Sequence, residues 1–157
     1  MDNVVPFFPS ITQIISDDQI NTRRISDLLN SAYIDHETEQ DGALYVMDAV
    51  AFPLWLTVDH DTKLILMFTY IEPGNEVKFD WLDKVNTLNA NIMLPQFSYR
   101  DGCMWGRYYL TYDGGLCVRH LIKMLRRFAR AFRTAVEELD LVPQLRGPKQ
   151  EIPGDSQ

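Results

Sequence analysis

Cysteine is scarce in this 157-residue chain: Cys103 and Cys117 are the whole complement. Two are too few for a disulfide framework, and both are expected to be reduced packing residues. Histidine is nearly as sparse. His36, His60 and His120 lie in separate segments, and none is spaced with another His or a Cys as in a structural zinc site. His60, between Asp59 and Asp61, reads as part of a solvated turn. No serine stands in a G-x-S-x-G elbow, and there is neither a Walker lysine nor a G-x-G-x-x-G loop. No cofactor, metal or catalytic constellation is expected, and the chain does not read as an enzyme.

Long apolar runs are missing too. Residues 1–16 are apolar but hold no Lys or Arg, and Pro6 and Pro9 break them, unlike a secretory signal. Nothing approaches the ~18 apolar residues of a membrane helix. A cytoplasmic protein without membrane insertion is expected. Positive charge is in deficit: 15 Lys and Arg face 22 Asp and Glu, for a net charge of −7. A general affinity for nucleic acid or anionic lipid is therefore not expected.

What is present suffices for one folded domain, since 46% of the residues are hydrophobic. At this length a domain buries about two-thirds of its unfolded surface. Residues 1–10 read as a flexible arm. Residues 142–157 hold Pro143, Gly147, Pro148, Pro153 and Gly154 among few apolar side chains. They cannot offset their ordering entropy and read as a disordered tail. The single domain is expected over 11–141.

Ser16-Asp17-Asp18 is a helix-start signal, followed by a stripe of Ile20, Ile25, Leu28 and Leu29. An acidic loop over 35–41 ends in the Asp41-Gly42 turn signal. Strands are expected over 43–47, 52–59 and 63–71, the last two joined by a short polar turn. A second helix is expected over 77–91, with Trp81, Leu82, Val85, Leu88 and Ile92 on one face. Pro95 stops it. Strands over 96–100 and 103–112 flank Asp101-Gly102, a strong hairpin signal. Gly114-Gly115 leads into the longest helix, over 116–139. The order α-β-β-β-α-β-β-α, with antiparallel hairpins and segregated helices, makes an α+β domain.

Two surface patterns carry the functional reading. Alternation along the strands puts Leu54, Leu56, Val58, Leu64, Leu66, Phe68, Tyr108 and Leu110 toward the helices. The alternate set contains Tyr45, Met47, Trp55, Thr57, Ile65, Met67, Thr69, Trp105, Arg107 and Tyr109. A freely solvated face should be polar. Trp55, Met67, Trp105 and Tyr109 are therefore expected to bind polypeptide, either a second copy or a client segment. Cover by the N-terminal arm is the bland alternative. The second pattern is a basic stripe on the last helix, Arg119, Lys123, Arg126, Arg127, Arg130 and Arg133. It fits a solvated face paired with the chain's own acids, or a face for an acidic protein partner. No RNA- or DNA-binding motif accompanies it, and nucleic acid is not expected.

Four stretches in this order carry a resemblance: Ile25-Ser26-Asp27-Leu28-Leu29, Val85-Asn86-Thr87-Leu88-Asn89, Tyr99-Arg100-Asp101-Gly102, and the Gly-Gly turn into a long final helix. The chain resembles the YbjN-like family, described as bacterial sensory transduction regulators, with a type III secretion chaperone-like fold. Asn86 and Asn89 are the sharpest match; an Asn on a helix beside a sheet can bond to a strand end. The strongly basic last helix departs from a plain family member. The resemblance implies a small acidic cytoplasmic protein, dimeric and without enzymatic activity, that binds another polypeptide in a regulatory or chaperone-like role. It also implies pairing through the middle helix and neighbouring sheet, which would place Trp81, Val85 or Leu88 near a homodimer contact if they are not all core. The alternative function is a small-molecule-responsive sensor domain.

Overall fold

The computed structural model of the protein describes residues 13–47, 51–75 and 77–141. The arm expected over 1–10 and the tail expected over 142–157 lie outside the described residues. In chain order the elements are β1 (Ile14–Ile15), a 3-10 turn (Asp17–Gln19), α1 (Thr22–Ser31), β2 (His36–Thr38), β3 (Leu44–Val46), β4 (Leu54–Asp59), β5 (Leu64–Ile71), α2 (Trp81–Asn91), β6 (Gln96–Arg100), β7 (Cys103–Thr111), β8 (Leu116–Cys117) and α3 (Val118–Glu138). Six strands form one antiparallel sheet in the order β2-β3-β4-β5-β7-β6, and β1 pairs with β8 separately. The α+β class holds.

The first helix starts later than its acidic signal suggests. Asn21 is the N-cap, and its side-chain oxygen accepts from the Arg24 N–H at 2.8 Å. Ser16 makes no side-chain cap, and Ile20 is extended and buried. The acidic pair instead sits in the 3-10 turn, where Asp17 accepts from Lys63 Nζ at 2.7 Å. The loop expected over 35–41 contains β2, a short edge strand of polar residues that pairs with β3. The Asp-Gly hairpin forms as expected. Asp101 and Gly102 have φ of 52° and 75°, the pair of positive values a tight two-residue turn needs.

The three helices supply the cover on one face of the sheet. Ile25, Leu28 and Leu29 of α1 join Leu44, Val46, Leu54, Leu56, Ile65, Met67 and Leu110 in one half of the core. Val85 and Leu88 of α2 join Ile71, Phe97 and Met104 in the other. The buried stripe of α3, from Val118 to Val136, spans both halves.

The central strand β5 corrects the expected faces. Its register opposes Trp55 to Phe68 and Leu56 to Met67. Residues opposed across a ladder share a face, so Ile65, Met67, Thr69 and Ile71 point inward. Leu64, Leu66, Phe68 and Tyr70 point outward. Met67 is 0% exposed and belongs to the core, not to an outer binding face. Thr69 tolerates burial because its Oγ1 donates to the Pro53 carbonyl at 2.8 Å.

Candidate functional site

The register brings aromatic side chains from four strands together on the outer face. Tyr45, Trp55, Phe68 and Arg107 form one cross-strand row, and Tyr70, Trp105 and Ser98 the next. Ring centroids run continuously: Tyr45 to Trp55 5.3 Å, Trp55 to Phe68 5.4 Å, Trp55 to Tyr70 5.6 Å and Tyr70 to Trp105 4.7 Å. Each such pair stabilises by about 0.5–1.5 kcal/mol beyond its buried area, so the array also has a structural share. Tyr109 stands beside it at 49% exposure, opposite Leu66. No helix joins this face among the described residues.

Of the four residues expected here, the structure brings Trp55, Trp105 and Tyr109 to one face and removes Met67. Sequence reasoning missed Phe68 and Tyr70. Their neighbours Ile65 and Met67 are equally apolar, so alternation gave no direction. It also missed that Arg100 and Arg107 flank Trp105, with guanidinium carbons 5.0 and 5.7 Å from its ring centroid.

The residues expected at a dimer contact are mostly interior. Val85 and Leu88 are 8% and 3% exposed and pack in the chain's own core. The helical stripe that marked them faces the sheet. Trp81 is half-buried and stacks on Tyr99, with centroids 4.4 Å apart and planes 1° apart. The next residue, Leu82, is 73% exposed.

The basic stripe is exposed at Arg119, Lys123, Arg126, Arg127 and Arg130. Among the described residues its one ion pair joins Arg133 to Glu137 at 2.8 Å. Among the described residues, the reading of a stripe paired with the chain's own acids therefore holds for Arg133 alone. Beside the stripe lies a cleft of about 390 Å³ lined by Leu28, Ala32, Val118 and Ile122, with Arg119, Lys123 and Arg126 at its rim.

Groups with chemical potential are occupied by structure. Ser26 Oγ lies 2.7 Å from His36 Nε2, and His36 Nδ1 lies 2.9 Å from the Ile34 carbonyl. The carbonyl can only accept, so in the neutral imidazole the proton sits on Nδ1 and Nε2 accepts from the Ser26 hydroxyl. The pair fastens β2 to α1. Burial, with Glu72 and Asp101 nearby, pushes the Cys103 thiol up, away from the thiolate a nucleophile needs. Among the described residues no group of three or more His, Cys, Asp or Glu is placed to hold a metal. No described helix is long and apolar enough to cross a membrane.

No curated protein matches the chain. Among solved structures, the "Crystal structure of YbjN, a putative transcription regulator from E. coli" is similar in fold, with a TM-score of 0.66 at 12% identity, covering 80% of this chain and 94% of that one. A chain in the "Structure of the HopA1-SchA Chaperone-Effector Complex" gives a TM-score of 0.49 at 17% identity, covering 72% of this chain and 94% of that one. The family described as "YbjN: Putative bacterial sensory transduction regulator" matches residues 21–141, from the Asn21 cap of α1 to Leu141 just beyond α3. That span takes in the whole six-stranded sheet and all three helices, and the chain belongs to the YbjN family.

Proposed function

We propose that this chain is a non-enzymatic protein-binding module. It acts in the cytoplasm as a homodimer and docks another polypeptide in a regulatory or chaperone-like role. The observation that carries this reading is the aromatic array on the outer sheet face, with no helix over it among the described residues. Antiparallel sheets solvate one face with polar side chains, whereas interface cores favour Trp, Tyr and Arg. The family description as a regulator supports it. For the homodimer, the supporting surface moves outward from Val85 and Leu88 to the exposed Leu82 beside the Trp81–Tyr99 stack. The exposed basic stripe of α3 suits an acidic protein partner and not nucleic acid.

Light scattering at micromolar concentration tests the dimer. Twice the chain mass is expected, falling to one chain mass in Leu82→Glu. A clean monomer in the wild type removes the dimer claim. The cleft between α1 and α3 favours a second reading, a small-molecule sensor, because ligand pockets run about 300–1,000 Å³. A thermal-shift screen of metabolites tests it, since a ligand at ~100 times its Kd adds about 2.7 kcal/mol of stability.

A further inference from the structure

The outer face turns polar at Trp105. Its indole Nε1 is shielded from solvent and has no hydrogen-bond acceptor among the described residues. Arg100 and Arg107 approach the same ring, 5.0 and 5.7 Å from its centroid. Ion pairs among the described residues join Lys63 to Asp17 and Asp113, and Arg133 to Glu137; neither of these arginines takes part in one. A ring attracts a guanidinium but accepts none of its in-plane N–H bonds well. The indole N–H lies beneath the surface, so the groups a docked partner can meet beside this ring are the two guanidiniums, donor-only and without an ion pair among the described residues. A carboxylate suits them, since it is acceptor-only, carries about four lone-pair sites and can accept from a guanidinium fork.

We propose that the polypeptide docked on this face presents an Asp or Glu side chain to Arg100 and Arg107, with apolar side chains beside it on the Trp55–Phe68–Tyr70–Trp105 array. This rests on the reading of the outer face as a docking surface. An extended segment suits the geometry. Its same-side residues repeat every ~6.6 Å, so neighbours of the acid at i−2 and i+2 reach adjacent rings. A nucleic-acid strand suits it less. Trp55 already lies nearly parallel to Phe68 and Tyr70, at 13° and 7°, and the chain carries a net charge of −7.

The test is selection from a random twelve-residue peptide display library against the full chain. The strongest binders are then measured by fluorescence anisotropy. The expected result is an acid at one fixed position, flanked by apolar residues at i−2 and i+2. Replacing it with its amide should weaken binding at least tenfold to the wild type, and less than twofold to Arg100→Gln/Arg107→Gln. Arg100→Gln alone, at an exposed position, gives the same comparison should the double variant fail to fold. Peptides that need Trp105 and Tyr109 but carry no fixed acid, or lose nothing as the amide, overturn the carboxylate and leave the docking surface standing. No enrichment, or binding indifferent to Trp105→Ala and Tyr109→Ala, overturns both. Sub-micromolar binding of a twelve-nucleotide single strand that Arg100→Gln/Arg107→Gln abolishes overturns the polypeptide assignment.

Discussion

Asn89 binds the backbone of Phe97 through both ends of its amide. Its oxygen accepts the Phe97 N–H at 2.8 Å, and its Nδ2 donates to the Phe97 carbonyl at 3.0 Å. Phe97 lies on β6, which has β7 on one side and, among the described residues, no strand on the other. A side chain on α2 thus stands in for a missing neighbour strand, closing that edge and fixing the helix over the sheet.

Asn89→Ala should cost about 1–3 kcal/mol, because it leaves both Phe97 groups without their partner. Asn89→Asp keeps the acceptor and sets a carboxylate against the Phe97 carbonyl, so it should not restore stability. Urea midpoints measure both. Hydrogen exchange at the Phe97 amide should speed up in Asn89→Ala.

That contact was legible in part: the Asn86 and Asn89 repeat pointed to a bond between helix and strand end, and Asn89 makes it. Asn86 is exposed. The hairpins were legible because Asp101-Gly102 has a strong local preference. The face of β5 was not, because Leu-Ile-Leu-Met-Phe-Thr-Tyr-Ile is apolar on both sides and only pairing with β4 and β7 chooses between them. The strand His36–Thr38 was hidden by its polar residues. Val85 and Leu88 show the limit of helical periodicity. It finds the apolar stripe but cannot say whether the chain's own sheet or a second copy covers it.

Gly106 lets α3 approach the sheet. A Cβ there would lie 2.6 Å from Phe132 Cδ2 and 3.0 Å from Pro95 Cγ. Gly106→Ala should destabilise by about 1–3 kcal/mol through overpacking. Adding Phe132→Leu should recover part of the loss, giving a non-additive pair in a double-mutant cycle.

Lys63 ties the 3-10 turn to the start of β5 and to Asp113. Its hydrogen bond, followed by the Gly114 N–H, holds the Asp17 carboxyl below its ordinary value. The bonds to Asp17 and Asp113 hold the Lys63 amine above its own. A depressed carboxyl stabilises the fold above its unfolded pKa, about 3.9, and loses that contribution as pH falls through the folded value. The raised amine contributes below its unfolded pKa of about 10.4 and loses its share as pH rises through the folded value. Stability measured against pH should therefore fall less steeply on the acid side in Asp17→Asn. Some acid sensitivity should persist, because the Thr62 hydroxyl, with the Thr62 and Asp61 N–H groups, also holds the Asp59 carboxyl low.

The basic stripe of α3 should be inert toward nucleic acid. Phosphate tracking makes affinity fall steeply with salt. No sub-micromolar binding to DNA or RNA is expected near physiological salt. Arg126→Glu and Arg130→Glu should change stability by no more than ~0.5 kcal/mol, as at other exposed sites. Tight binding abolished by these two substitutions would show that the stripe is a nucleic-acid site.

The central claim is that the outer sheet face docks polypeptide. The most direct measurement is the affinity of a library-selected peptide for wild type, Trp105→Ala and Tyr109→Ala, each read beside its melting curve. Tyr109 is 49% exposed, so its variant should melt with the wild type. The account predicts a loss of about 2 kcal/mol in binding for Trp105→Ala, roughly thirtyfold, with a folded chain, and a smaller loss for Tyr109→Ala. Unchanged affinity in both folded variants would contradict it.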